Sequence, residues 1–270
     1  MHCDEVDASR AVIVTTAVVA LFAVACASTP SASWFPPPLV RSSSVPMTDA
    51  ARSSALRDRW ARYEQSTGDF SATVRVRYVD PRSGQYFTSS GALAVRRPDR
   101  ARMQLAGPGG ITAIDVLVLG SRSYTNVGGR GWIVRDGHRP TATRGFDGTS
   151  VARALVETPA PGEGIMLDGA RPIVRVTRGD GRTEHTLDSS DGAVQEVRWF
   201  DSGDRESLRV RFDSFERLPT GERRPAHVSL WQREPAAIVT ITIDAWTASP
   251  QLPAATFAPP DVAMDSPPHR

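Results

Sequence analysis

The sequence predicts a mainly β protein of about twelve antiparallel strands, with one helix ahead of them and a second, shorter one in their middle. Three observations carry this. Apolar and polar residues alternate with period two from Asp69 onward. Clusters of Gly, Pro, Asp and Ser separate the alternating runs. Helical spacing occurs only before residue 67 and around residue 150.

The first element is a leader. Ala11–Ala25 (AVIVTTAVVALFAVA) is uncharged and, at 15 residues, shorter than the ~20 a helix needs to span a bilayer core. It ends in small residues, as the apolar region of a signal peptide does. The junction Leu21-Phe22-Ala23-Val24-Ala25-Cys26 resembles a lipobox, with Ala23 where a leucine is usual. That resemblance implies cleavage before Cys26 and acylation of its thiol. The residues before it are acidic (Asp4, Glu5, Asp7) with a single Arg10, which departs from the usual basic start. An ordinary signal peptide with a coincidental cysteine, or an N-terminal membrane anchor, are the other readings of these residues. Cysteine usage fits acylation: Cys3 leaves with the leader, so Cys26 has no disulfide partner. Stable anchoring takes at least two acyl chains, which a diacylated cysteine supplies. Ala27 and Ser28 follow in place of the aspartate that marks inner-membrane retention, so the outer membrane, on its periplasmic face, is the expected location. The stretch up to residue 47 is Ser- and Pro-rich and reads as a tether.

A helix is expected from about Thr48 to Ser66. Thr48 or Asp49 caps it, and Leu56, Trp60 and Tyr63 share one face. In Phe70–Tyr78 the residues Phe70, Ala72, Val74, Val76 and Tyr78 face one way, and Ser71, Thr73, Arg75 and Arg77 the other. Strands follow at Gln85–Arg96 (Leu93 and Val95 on one face), Arg100–Ala106 (Met103, Leu105), Ile111–Leu119, Arg122–Val127 and Trp132–Arg135. The turns between them include Pro81–Gly84, Pro98-Asp99, Gly107–Gly110 and Gly128–Gly131, the chemistry of a meander.

Residues 147–157 read as a short helix capped by Asp147 or Thr149, with Val151, Ala154 and Leu155 inward. A Pro- and Gly-rich loop, 158–172, comes next. Six further strands are predicted: Ile173–Arg178, Thr183–Asp188, Ala193–Asp201, Glu206–Phe215, Ala226–Arg233 and Ile238–Trp246. Leu208, Val210 and Phe212 alternate with Arg209, Arg211 and Asp213. The Pro-rich end, Ser249–Arg270, reads as a strap and then a frayed tail. A sheet this large, apolar on one face, must curl. It closes as a barrel or wraps around the helices. The domain plan is therefore leader 1–25, lipidated cysteine and tether 26–47, β domain 48–262 and tail 263–270.

Composition excludes several functions. The chain has 32 basic and 30 acidic residues, every basic one an arginine, scattered among the acids. Nucleic-acid binding needs a concentrated basic face and is not expected. His2, His138, His185, His227 and His269 are isolated, and no H-E-x-x-H, C-x-x-C or G-x-S-x-G occurs. Gly128–Gly131 leads into a strand, unlike a phosphate loop. No enzyme activity, metal or cofactor is expected.

The order lipobox, tether, amphipathic helix and F-x-A-x-V-R-V-R (Phe70–Arg77) resembles the LolA/LolB family of periplasmic lipoprotein carriers and receptors. So does G-A-L-A-V-R-R-P-D-R-A-R-M-Q-L-x-G-P-x-G (Gly91–Gly110), and the closing pattern Trp246, Pro253, Phe257, Pro259-Pro260. The resemblance implies a half-open, strongly curved antiparallel sheet, an incomplete barrel of 11–12 strands, with the helices lying in its concave side as a lid. Between them an apolar cavity would take acyl chains of a lipoprotein or lipid. Phe70, Val74, Val76, Leu93, Val95, Met103, Leu105, Leu208, Val210, Phe212 and Leu230 are candidate lining residues, and Leu56, Trp60 and Tyr63 the lid. Receptors of this family deliver cargo through an exposed loop leucine. The matching loop here, Pro108, Gly109, Gly110 and Ile111, has none, and Ile111 is the nearest large apolar residue. A monomer that receives cargo from a soluble periplasmic carrier is expected. The alternatives are a regulatory or structural envelope lipoprotein that grips a protein partner with the same sheet, or a carrier of free lipid or glycolipid.

Overall fold

The computed structural model describes residues 34–39, 45–46, 48–137, 148–156, 165–168, 171–178, 181–217, 223–248 and 250–260. Cys26 and the expected leader before it, His138, Asp147, most of the loop before residue 171 and the tail lie outside the described residues. The chain divides into residues 1–36 and 37–270. In the first unit only Trp34–Pro36 is described, with Trp34 and Phe35 edge to face at 5.5 Å.

The second unit begins with β1 (Val45–Pro46) and α1 (Ala50–Thr67). Asp49 caps α1, its carboxylate accepting from the Arg52 N–H at 3.0 Å. A meander follows: β2 (Phe70–Val79), β3 (Tyr86–Arg96), β4 (Arg100–Ala106), β5 (Thr112–Leu119), β6 (Arg122–Val127) and β7 (Trp132–Arg135). After α2 (Gly148–Val156) comes a second one: β8 (Ile165–Asp168), β9 (Arg171–Arg178), β10 (Gly181–Leu187), β11 (Val194–Phe200), β12 (Glu206–Arg217), β13 (Arg223–Gln232) and β14 (Ala237–Ala248).

These strands form one antiparallel sheet in the order β1-β8-β9-β10-β11-β12-β13-β14-β2-β3-β4-β5-β6-β7. The two meanders are joined where β14 pairs with β2 along its whole length. β1 and β7 are the two edges and do not pair, so the sheet stays open. Twelve of the strands answer to the predicted ones. β1 and β8 are additional, pairing a piece of the tether (Val45↔Leu167) with a piece of the expected loop.

Alternation decides the faces. Phe70, Ala72, Val74 and Val76 of β2 are buried in the main core while Thr73, Arg75 and Arg77 are exposed, and Leu208, Val210 and Phe212 of β12 join that core. Both helices cover this face. Leu56 and Trp60 of α1 pack on Val174, Val176 and Leu187 of β9 and β10. All nine residues of α2 are buried, with Val151, Leu155 and Val156 in the main core and most contacts to β4 and β5. α2 is an interior element, although it carries Thr149, Ser150 and Arg153, whose polar groups are buried with it.

β5 breaks the alternation because both of its faces are covered: Ile114 through Val118 are all buried. On the outer face Leu117 and Tyr124 pack against Phe257 of the C-terminal strap. The buried Asp115 there receives Arg102 at 2.7 Å and Gln104 at 2.9 Å, and Arg102 also donates to the Thr256 carbonyl. Among the described residues no helix is long and apolar enough to cross a membrane.

Candidate functional site

Between the two helices, on the concave face, is a small cavity. Tyr63 of α1 and Ala154 and Leu155 of α2 form its roof. Val194 (β11), Phe212 (β12), Arg224-Pro225 (β13), Trp246 (β14), Phe70 (β2) and Arg97 complete it. α2 rests on β4 and β5 yet lines the same cavity as Val194, which lies seven strand spacings from β5, about 34 Å in a flat sheet. The sheet is therefore strongly curved.

The walls are aromatic and cationic. Phe70 meets Trp246 edge to face at 4.7 Å. The buried Arg224 guanidinium lies 5.2 Å from the Phe70 ring and 5.8 Å from that of Trp246, a geometry in which each ring face attracts the cation. The backbone N–H of Arg97 donates to Asp69 at 3.2 Å, holding the chain at the end of β3. The cavity volume is about 30 Å³. That accommodates a water or two. Pockets for drug-sized ligands run to about 300–1,000 Å³.

The expected lining residues divide accordingly. Phe70 and Phe212 border the cavity. Val74, Val76, Leu93, Val95, Met103, Leu105, Leu208, Val210 and Leu230 are buried in the continuous core that α2 fills. Of the lid residues, Tyr63 borders the cavity and Leu56 and Trp60 anchor α1. Ala154 and Leu155 border it from the inward face expected of the short helix, and Arg97, Val194, Arg224, Pro225 and Trp246 border it without having been foreseen there. Arg97 is the second arginine of the R-R-P motif. Trp246 opens the closing motif. Arg224 was hidden because β13 begins at Arg223, three residues before the predicted strand.

α2 is latched in place. Arg153, fully buried, donates from Nη2 to the Ser121 carbonyl at 2.7 Å and from Nη1 to the Gly120 carbonyl at 3.4 Å. Thr149 and Thr125 share a hydroxyl hydrogen bond at 3.2 Å. At the far end of β4, Pro108–Gly110 forms a single turn with Gly109 and Gly110 at positive φ, and Ile111 is 69 % exposed. His185 is buried on β10, and His227 lies 3.4 Å from the Thr242 hydroxyl on the outer face. Among the described residues, no three His, Cys, Asp or Glu side chains gather as a metal site would require.

Comparison with protein-family models gives no match, and comparison with curated proteins gives none either. Solved structures do match. A LolA superfamily protein from Nitrosomonas europaea superimposes with a TM-score of 0.52 at 11 % identity, covering 76 % of this chain and 97 % of that one. An outer membrane lipoprotein-sorting protein domain from Vibrio parahaemolyticus gives 0.55 at 11 % identity, covering 75 % and 94 %. A DUF1329 family protein from Desulfovibrio piger gives 0.55 at 12 % identity, covering 76 % and 96 %. At such identities the likeness concerns the fold. The open curved sheet with two helices on its concave face is thus similar in fold to these three structures, one of them a LolA superfamily protein.

Proposed function

We infer that this chain is an envelope lipoprotein, held at the periplasmic face of the outer membrane through acyl chains on Cys26, that binds acyl chains and serves lipoprotein or lipid trafficking. It acts by binding and not by catalysis. The observation that carries the reading is α2, a fully buried helix lying inside the curved sheet with a cavity at its edge.

With about 30 Å³ free, an acyl chain enters only by displacing α2 or α1. Magnitudes allow the exchange. Withdrawing the three large apolar side chains of α2 (Val151, Leu155, Val156) costs about 1.5–3 kcal/mol each, and a chain of a dozen methylenes recovers about 0.8 kcal/mol per methylene. The two totals are of similar size, which suits a carrier that must also release. The delivering surface, on this reading, is the turn ending at the exposed Ile111.

The filled interior also favours a second reading, in which the same fold grips a protein partner and takes no acyl chain. One experiment separates them. The chain without its anchor is incubated with a soluble carrier loaded with a labelled lipoprotein, and bound acyl chains are sought by mass spectrometry. Transfer of label supports the trafficking role. No transfer together with no recovered acyl chain overturns it and leaves the partner reading. Cys26→Ser separately tests the anchor: release from membranes is expected, and continued attachment with an unchanged mass defeats it.

A further inference from the structure

We propose that the outer face of the sheet carries a second site, for an acidic saccharide, in an open trough across β14, β2 and β3. The trough encloses about 560 Å³, within the range of small-ligand sites and far more than the interior cavity. Its floor is β2, whose Val74 and Val76 point into the core while Arg75 and Arg77 point out. The site is thus on the opposite side of the strand from the acyl-chain candidate and independent of that reading.

The two arginines are in different states. Arg75 is committed: its Nε and Nη2 clasp Asp244 at 2.9 and 2.7 Å. A register shift between Ile243 and Ala245 accompanies the outward placement of Asp244. That pair makes one end of the trough electrically neutral. Arg77, in the middle, has no acidic partner among the described residues. Its guanidinium lies 5.7 Å from the centre of the Tyr86 ring, and Tyr86 is 68 % exposed. An arginine fork with its carboxylate partner missing is matched by a carboxylate or phosphate on a ligand.

Around Arg77 the walls are hydroxyls. Thr88 and Thr240 are its neighbours across the two strand pairs, and Ser90 and Thr242 flank Arg75 one step along. Thr88, Ser90 and Thr240 make no side-chain hydrogen bond to the described protein, whereas Thr242 is shared with His227. A hydroxyl both donates and accepts. A small anion offers mostly acceptors and few donors to these hydroxyls, but a sugar ring presents several hydroxyls of its own. The exposed Tyr86 ring, with its negative face, suits the C–H side of a sugar. Because β2 is paired along its whole length on both sides, the constellation is held rigid before binding.

The test is calorimetric titration of the full chain at low salt with tetragalacturonic acid, its methyl ester, and inorganic phosphate. The acid is expected to bind, and the uncharged ester to bind at least about tenfold more weakly. Arg77→Gln is expected to weaken the acid by at least about tenfold as well, the loss typical of one charged hydrogen-bonded pair. Tyr86→Ala should also weaken it. Arg122→Gln, an exposed arginine on β6 paired with Asp136, should leave it unchanged. Arg77 is exposed, so its variant should melt as the parent does. No binding of the acid overturns the proposal, as do equal affinities of parent and Arg77→Gln, of acid and ester, or an equal loss in Arg122→Gln. Displacement of the saccharide by phosphate at matched ionic strength also overturns it, in favour of a bare anion site.

Discussion

The buried Arg153 guanidinium donates to the Ser121 carbonyl at 2.7 Å, tying the helix that fills the sheet to the β5–β6 turn. A charge in that position opposes movement of α2, because sliding the helix takes the buried guanidinium away from its acceptors, where water does not replace them. Arg153→Met keeps most of the side-chain volume and removes the donors. The expected loss is about 1–3 kcal/mol in urea unfolding. Faster uptake of a fluorescent fatty acid should accompany it if α2 is the gate. Unchanged stability and unchanged uptake would show that the latch is unimportant.

Gly192, in the β10–β11 turn, touches the backbone of α1. A Cβ there would stand 2.5 Å from the Trp60 nitrogen and 2.6 Å from its Cα, and the residue has φ +80. Neither a backbone nor a left-handed conformation yields cheaply. Gly192→Ala is therefore expected to lose about 2–4 kcal/mol and to lift α1 from Val174 and Val176. Hydrogen exchange should report this as lost protection in Leu56–Tyr63 with the β2–β6 amides still protected. A uniform loss across the chain would contradict a local detachment.

How much of this was legible in the sequence depends on distance along the chain. The face of each strand was readable because alternation is local, and so was the cap of α1. The motif glycine Gly91 also has a local reason: a Cβ there would fall 1.9 Å from the Gln104 carbonyl on the next strand. Alternation says which side is apolar, however, and not whether that side is hollow. Val74, Leu93 and Met103 face inward as predicted and meet a filled core, because α2 crosses over to fill it. Nothing local in the sequence marks Arg153 and Arg224 as buried. Their burial depends on carbonyls and aromatic rings brought in by remote strands. β1 and β8 have no local signal, since Val45–Pro46 and Ile165–Asp168 sit in Pro- and Gly-containing stretches without alternation and become strands only through their partners.

Glu196 gives a pH dependence of definite sign. Its carboxylate, fully buried on the outer face, accepts from the Leu39 N–H at 3.2 Å and from Arg211 at 2.9 Å. Burial pushes its pKa up, against the pull of Arg211 and Arg209. In the window between the ordinary glutamate range and the raised folded value, the unfolded chain has released a proton that the folded chain keeps. Stability contributed here is present at acid pH and is lost as pH rises through that window. Aspartates with lowered pKa, such as Asp201 and Asp244, have the opposite slope but are common to parent and variant. The difference in unfolding free energy between the parent and Glu196→Gln should therefore fall from acid to neutral pH. A difference that stays flat or rises would refute the assignment.

The C-terminal strap and the Arg102–Asp115 pair form one unit on the outer face of β4–β6. Phe257 closes over Leu117 and Tyr124, while Arg102 holds both Asp115 and the Thr256 carbonyl. Removing the phenyl ring in Phe257→Ala is expected to cost about 3–5 kcal/mol. Asp115→Asn leaves Arg102 without its counter-charge in a site only partly open to solvent, and about 2–3 kcal/mol is expected, discounted from the fully buried case. The two should not add. Once the ring is gone and the strap loosens, water reaches Arg102 and the lost carboxylate matters less, so the double variant should fall short of the sum by more than about 0.5 kcal/mol. Urea unfolding of the four proteins measures the coupling, and strict additivity would mean that the strap and the ion pair act separately.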